Sequence, residues 1–350
     1  MARLPQQPAR RTVVVTGASA GFGRAVALRF ARAGARLGLI ARAADALLDV
    51  KEEAERRGVR AVIAPADVGD ADAVLAAADA IVADLGPIDI WINDAMVTVF
   101  SPVWEMTPDE FRRVTDVTYL GAVHGTMAAL RHMRPRNHGT ILQVGSALAY
   151  RGIPLQAAYC GAKHALRGFT DSLRSELIHA RSAIALTMVE LPAVNTPQFD
   201  WARTHMPRKP RPVAPVVEPE AVAEQIFRAA LRPQREYWIG MSTLEAILGN
   251  MVLPEFLDRY LARKTVAAQQ TAVPLTPGRE DNLIAPVHGL HRTRGSFGAE
   301  AASRVVAVPG PVARLAPLLF AALAGLAAGL ALRSAATARL TAQPQRRALR

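Results

Sequence analysis

A chain of 350 residues with 51% hydrophobic and 21% charged side chains can bury a sizeable core unaided, which excludes a disordered polypeptide. Its single cysteine, Cys160, excludes an internal disulfide framework and fits a reducing compartment, so a cytoplasmic location is expected. The net charge of +12 suggests nucleic acid, but residues 1–11 carry +3 and residues 271–350 carry +7, leaving +2 for everything between.

The basic N-terminal tail, 1–11, lacks the apolar run of a signal peptide. From Thr12 onward, short aliphatic or β-branched runs (Thr12–Thr16, Leu37–Ile40, Ala61–Ala64, Ile88–Ile92, Thr140–Val144, Ala183–Val189) alternate with longer helix-like stretches. Near-continuous apolar strands imply burial on both faces, as in a parallel sheet with helices on each side. Residues 12–262 therefore read as one doubly wound α/β domain, a Rossmann-type fold. Thr107-Pro108-Asp109-Glu110 predicts a helix start with a capping box and proline in the first turn. Regularity fails over 195–219, where six prolines predict either a long ordered loop or a mobile lid carrying Phe199 and Trp201. A helix over Pro219–Leu231 and a strand over Glu236–Gly240 follow. Residues 263–313, rich in Pro, Gly, Thr and Arg, read as a linker. Residues 314–333 read as an apolar helix and 334–350 as a basic tail. Leu315–Leu332 is an uncharged run of eighteen residues, ~27 Å long as a helix, at the short end of what spans a bilayer. Two readings stand for it: attachment to the cytoplasmic face of a membrane, or a helix docked on its own domain or on a second copy.

Gly17, Ser19, Gly21, Phe22 and Gly23 follow the first strand and open a helix. Such a turn brings backbone close to a pyrophosphate at a helix N-terminus. The second strand ends at Ala41-Arg42, where a carboxylate would hold ribose hydroxyls and repel a 2′-phosphate; an arginine there favours NADP over NAD. Asp67 and Val68, after the third strand, are placed to meet the adenine. Ser146 follows a buried strand, Tyr159 comes thirteen residues later, and Lys163 lies one helical turn beyond, on the same helix face as Tyr159.

With these residues in place, the chain resembles the short-chain dehydrogenase/reductase family over roughly Thr12–Gly240. The resemblance implies a nicotinamide cofactor and hydride transfer at a carbonyl or alcohol carbon. It also implies that Tyr159 is the general acid/base, that Ser146 holds the substrate oxygen and that Lys163 grips the nicotinamide ribose. Asn93, Val194 and Thr196 fall at cofactor positions of the family. Three departures mark a divergent member: Thr118 stands where the family carries a relay asparagine, Asn93-Asp94-Ala95-Met96 replaces Asn-Asn-Ala-Gly, and Leu191-Pro192 replaces Pro-Gly. The roles are chemically coherent. A tyrosine of pKa ~10 is a weak base at neutral pH, but an ammonium ~4 Å away at an effective dielectric of ~20 would favour phenolate by about 4 kcal/mol.

No His or Cys spacing suits a metal, and no Gly-x-Ser-x-Gly elbow surrounds Ser146. The expected partners are a small carbonyl or alcohol, hydrophobic by the character of the lid, and a second copy of the chain. Nucleic acid is not expected, because the basic tails lack interleaved aromatics and suit lipid headgroups beside 315–332 better. The sequence thus predicts an NADP-dependent oxidoreductase. The alternative is a catalytically silent NADP-binding regulator or scaffold.

Overall fold

The computed structural model describes residues 11–315. The chain divides into two units, Met1–Pro309 and Gly310–Arg350; of the second, residues 310–315 are described, as helix. The apolar run expected to anchor the chain lies outside the described residues from 316 onward, as do residues 1–10. Among the described residues no helix is long and apolar enough to cross a membrane.

The first unit is built on an eight-stranded sheet. Its strands are β1 (Thr12–Thr16), β2 (Arg36–Ala41), β3 (Ala61–Pro65), β4 (Ile90–Asn93), β5 (Thr140–Val144), β6 (Ala185–Glu190), β7 (Glu236–Ile239) and β8 (Ala307–Pro309). The spatial order is β8-β7-β6-β5-β4-β1-β2-β3, parallel throughout except for β8, which runs antiparallel to β7. Val13, Val14 and Val15 of β1 have no exposed surface because helices cover both faces. On one face lie α1 (Gly21–Ala31), α2 (Ala44–Glu55) and α7 (Pro219–Leu231), with Phe30 and Phe227 meeting edge to face at 5.1 Å. On the other lie α3 (Ala71–Leu85), α4 (Pro108–Thr115), α5 (Gly121–Met133) and α6 (Ala157–His179). The doubly wound α/β reading holds. The expected capping box is present: Glu110 N–H donates to Thr107 Oγ1 (3.2 Å) and Thr107 N–H donates to Glu110 Oε2 (2.9 Å).

Two glycines let layers approach. A Cβ on Gly38 would lie 2.7 Å from Ile81 Cγ2 of α3, and one on Gly125 would lie 2.1 Å from Asn93 Oδ1. Beyond β7, α8 (Met241–Val252) and α9 (Pro254–Ala268) flank the sheet's carboxyl edge.

The linker over 263–313 needs correction. Residues 263–268 complete α9, 270–274 pair with 208–210, 301–302 pair with 216–217, and 307–309 are the edge strand β8. Proline and glycine do interrupt regular elements here, but the backbone groups they free are satisfied by other parts of the same unit, so irregular chain is not detached chain. The expected lid is likewise built in: 216–217 pair with 193–194, and Phe199 packs against Phe100 and Phe297.

Candidate active site

The strand order reverses between β1 and β4, and a ligand crevice in an open α/β sheet forms beyond the carboxyl ends of the strands at such a point. A single cavity of about 400 Å³ occupies it, running from Arg42 and Asp67 at one end to Ser146 and Tyr159 at the other. The glycine turn after β1 is shaped by close approach. Gly17 has φ +73°, and a Cβ there would lie 2.9 Å from Ala95 Cα; a Cβ on Gly23 would lie 2.3 Å from Gly17 O. Thr16 Oγ1 accepts from Asp94 N–H (3.0 Å) and Ala95 N–H (3.1 Å), fixing the end of β1 to the chain leaving β4.

At the other end, Ser146 leaves β5 with its N–H donating to Glu190 Oε2 (2.6 Å) and its Oγ accepting from Leu148 N–H (3.1 Å). Tyr159 and Lys163 share one face of the first turns of α6, with Lys163 Nζ 5.6 Å from the Tyr159 ring centroid. The expected lowering of the phenol by lysine is not what this arrangement produces. Burial pushes Tyr159 above its ordinary pKa, a hydrogen bond from the Ser146 side chain opposes it, and Cys160, Asp94 and Glu190 push it further up. Burial is the main cause, and Lys163 does not offset it: its buried ammonium donates to Val144 O (2.7 Å). Burial lowers Lys163, while Asp94 and Glu190 hold it up; burial in turn raises Asp94 against the pull of Lys163. Glu190, with no exposed surface, is pushed up to about 8 by burial and by Glu236.

The cavity brings together Ser146, Tyr159 and Lys163 with Gly17, Ser19, Gly21, Phe22, Arg42, Asp67, Val68, Val194 and Thr196. Three expected site residues lie elsewhere. Gly23 serves the turn's close packing and not the cavity wall. Asn93 is buried between β4, β5 and α5, its Oδ1 accepting from Trp91 Nε1 (2.7 Å) and its Nδ2 donating to Thr126 and Gln143 (3.0 Å each). Thr118, in a π-helical turn over 116–120, donates to Val97 O (2.8 Å) and accepts from Val97 N–H (3.1 Å). Its one hydroxyl proton is thereby committed, so it donates nothing to a relay through Lys163. Asp67 reaches the cavity but its carboxylate is held by Arg113 and by Gly69 N–H (2.9 Å). Arg42 is held by carbonyls of residues 282–284, a partner that sequence reasoning missed, as it missed Asn282 and His291 on the same wall. Nothing periodic marks that segment; its short apolar run 283–287, of which Leu283 and Val287 are buried, is the one signal of contact with the domain. Among the described residues no His, Cys, Asp or Glu cluster could hold a metal.

Residues 11–206 match the family model for short chain dehydrogenases. An uncharacterised oxidoreductase of Bacillus subtilis, YxnA, is 31% identical over 283 residues, covering 80% of each chain. A short chain dehydrogenase from Mycobacterium paratuberculosis, solved bound to NAD, superposes with a TM-score of 0.58 at 25% identity, covering 66% of this chain and 96% of that one. A metagenomic short-chain oxidoreductase in complex with NADP gives 0.54 at 26% identity, covering 65% and 93%. The chain belongs to the short-chain dehydrogenase family and is an oxidoreductase of that family, acting on small molecules with a nicotinamide cofactor. The residues fit such a cofactor: Gly17 and Gly21 bring backbone without a side chain to the cavity wall, and the same cavity is lined by Tyr159.

Proposed function

We propose that this chain is an NADP(H)-dependent oxidoreductase for a hydrophobic carbonyl or alcohol, with Tyr159 as general acid/base. The observation that carries the reading is the single cavity in which the Ser146–Tyr159 pair and Lys163 share a wall with the glycine turn. When bound, nicotinamide supplies or takes the hydride. Ser146 Oγ holds the substrate oxygen beside the phenol, and Tyr159 gives or takes the proton at that oxygen. Burial keeps the phenol protonated, the form that gives its proton to a developing alkoxide. Lys163, pinned to Val144 O, presents its remaining N–H donors to the ribose side of the cavity. Met96, Leu148, Ile153 and Phe199 line the substrate end and support an apolar substrate. Ala41 in place of a carboxylate, with Arg42 beside it, supports NADP over NAD.

The test is Tyr159→Phe, which keeps the ring and removes the proton. Turnover of NADPH with a panel of apolar ketones and aldehydes is expected to fall ~10²–10⁴-fold, with the dissociation constant for NADPH unchanged. Retained turnover would remove Tyr159 from the chemistry; tight NADPH binding with no turnover by the parent chain would favour the silent regulator.

A further inference from the structure

The adenosine end of the cavity has a wall that the dinucleotide-binding core does not supply. After the 270–274 strand the chain crosses back over the carboxyl ends of β1 and β2 as a strap, 279–295, tied down along its length. Arg279 donates to the carbonyls of Asp200 and Ala202, and Asn282 N–H donates to Trp201 O (3.1 Å). Arg42 gives hydrogen bonds to the carbonyls of Asn282 (2.5 Å), Ile284 (2.7 Å) and Leu283 (3.4 Å). Further along, Arg292 O accepts from Gly21 N–H in the glycine turn (2.8 Å). The strap therefore bridges the two features that read as phosphate-binding in the core, Arg42 and the glycine turn, and takes up three of Arg42's five N–H donors.

Between those anchors His291 lines the cavity, its ring 5.6 Å from that of Trp201; both ring nitrogens are buried, and the Val287 backbone is the one group in reach to bond them. Asn282 Oδ1, on the same wall, is buried and unpartnered as well. Buried polar atoms are nearly always paired, so an imidazole with at most one partner and an unpartnered amide oxygen on residues lining one cavity mark a place where a polar ligand completes the structure. An imidazole N–H and a guanidinium lining the same cavity suit an anionic oxygen.

We propose that the strap is part of the cofactor site and that His291, with Arg42, binds a phosphate group of the dinucleotide. This rests on the nicotinamide-cofactor reading above. It alters how Arg42 works: the strap carbonyls fix its orientation, and His291 supplies the hydrogen bond that their occupation of its N–H groups takes away. Burial holds the His291 imidazole below its ordinary pKa, with His288 acting in the same direction and Asp45, the Val287 backbone and Asp49 opposing, so a neutral imidazole is the form at hand.

The test is equilibrium binding of NADPH, 2′,5′-ADP and 5′-ADP to the full chain and to His291→Ala and His291→Gln, without turnover. His291→Ala is expected to weaken NADPH about tenfold, the loss of one hydrogen bond to a charged group, with His291→Gln recovering part of it. A loss confined to 2′,5′-ADP places the contact at the 2′-phosphate; equal losses on 2′,5′-ADP and 5′-ADP place it at the 5′-phosphate, and either supports the proposal. Unchanged affinities in His291→Ala would overturn it. So would hydrogen exchange showing the glycine turn protected by NADPH but 279–295 unaffected. Failure of the parent chain to bind any of the three ligands would instead strike the cofactor reading itself.

Discussion

Glu190 illustrates how a single residue sets the electrostatics of the site. It ends β6 with no exposed surface, accepts from Ser146 N–H and leaves Oε1 without a partner. A charged carboxylate would pay heavily for that position, and burial raises its pKa to about 8. The sign follows from linkage. The folded state holds the proton more tightly than the unfolded chain, so the stability contributed is full below the ordinary pKa near 4.5 and is lost as pH rises toward 8. Replacing Glu190 with Gln removes that proton from the balance. The variant is expected to gain stability relative to the parent between pH 5 and pH 8, by a few kcal/mol and at most about 1.4 kcal/mol per pH unit. Urea unfolding at the two pH values measures it; an unchanged difference between the two proteins would show that Glu190 is ionised in the folded state.

At the level of elements, the contrast between α6 and the strap explains what a sequence can reveal. Tyr159 and Lys163 sit one turn apart on a long amphipathic helix, so their joint placement is a local fact that spacing alone conveys. Ser146 was legible for a similar reason, because it follows directly from a buried strand. Thr118 and Asn93 were legible as positions but not as roles, since their partners, Val97 in one case and Trp91, Thr126 and Gln143 in the other, come from tertiary packing. The strap was illegible altogether. Its attachments reach across about 80 to 270 positions of sequence, and no periodicity encodes them. Leu283 is its hydrophobic anchor, fully buried against the α3–α5 side of the core, with Arg113 Nε donating to its carbonyl (3.0 Å). Leu283→Ala should cost ~2–5 kcal/mol if the cavity cannot collapse. The polar ties alone would then hold the strap, so limited proteolysis is expected to cut within 276–295 before the rest of the domain. Cleavage no faster than in the parent would show that the hydrogen bonds suffice without the apolar anchor.

For the molecule as a whole, sheet, turn and strap meet at one place, and a ligand there touches all three. The doubly wound sheet was readable from alternating strands and helices. Its eighth strand and the strap were not, because a three-residue antiparallel edge carries too little pattern to register. A dinucleotide bound along this cleft contacts the first strand's turn, the end of the second strand and residues nearly 270 positions later, so its binding energy falls on the folded state alone. At a concentration one hundred times the dissociation constant, linkage adds ~2.7 kcal/mol, or about 4 °C in melting temperature for a domain of this size. NADPH is expected to produce that shift and, on the proposed NADP preference, NADH at the same concentration a smaller one, because NADH lacks the 2′-phosphate that Arg42 would meet. Thermal unfolding with each cofactor from micromolar to millimolar concentration gives the comparison directly. Equal shifts would assign the selectivity to neither Arg42 nor the strap. A shift for NADPH that vanishes in Leu283→Ala, with the glycine turn unaltered, would place a large share of the cofactor's binding energy on the strap rather than on the turn.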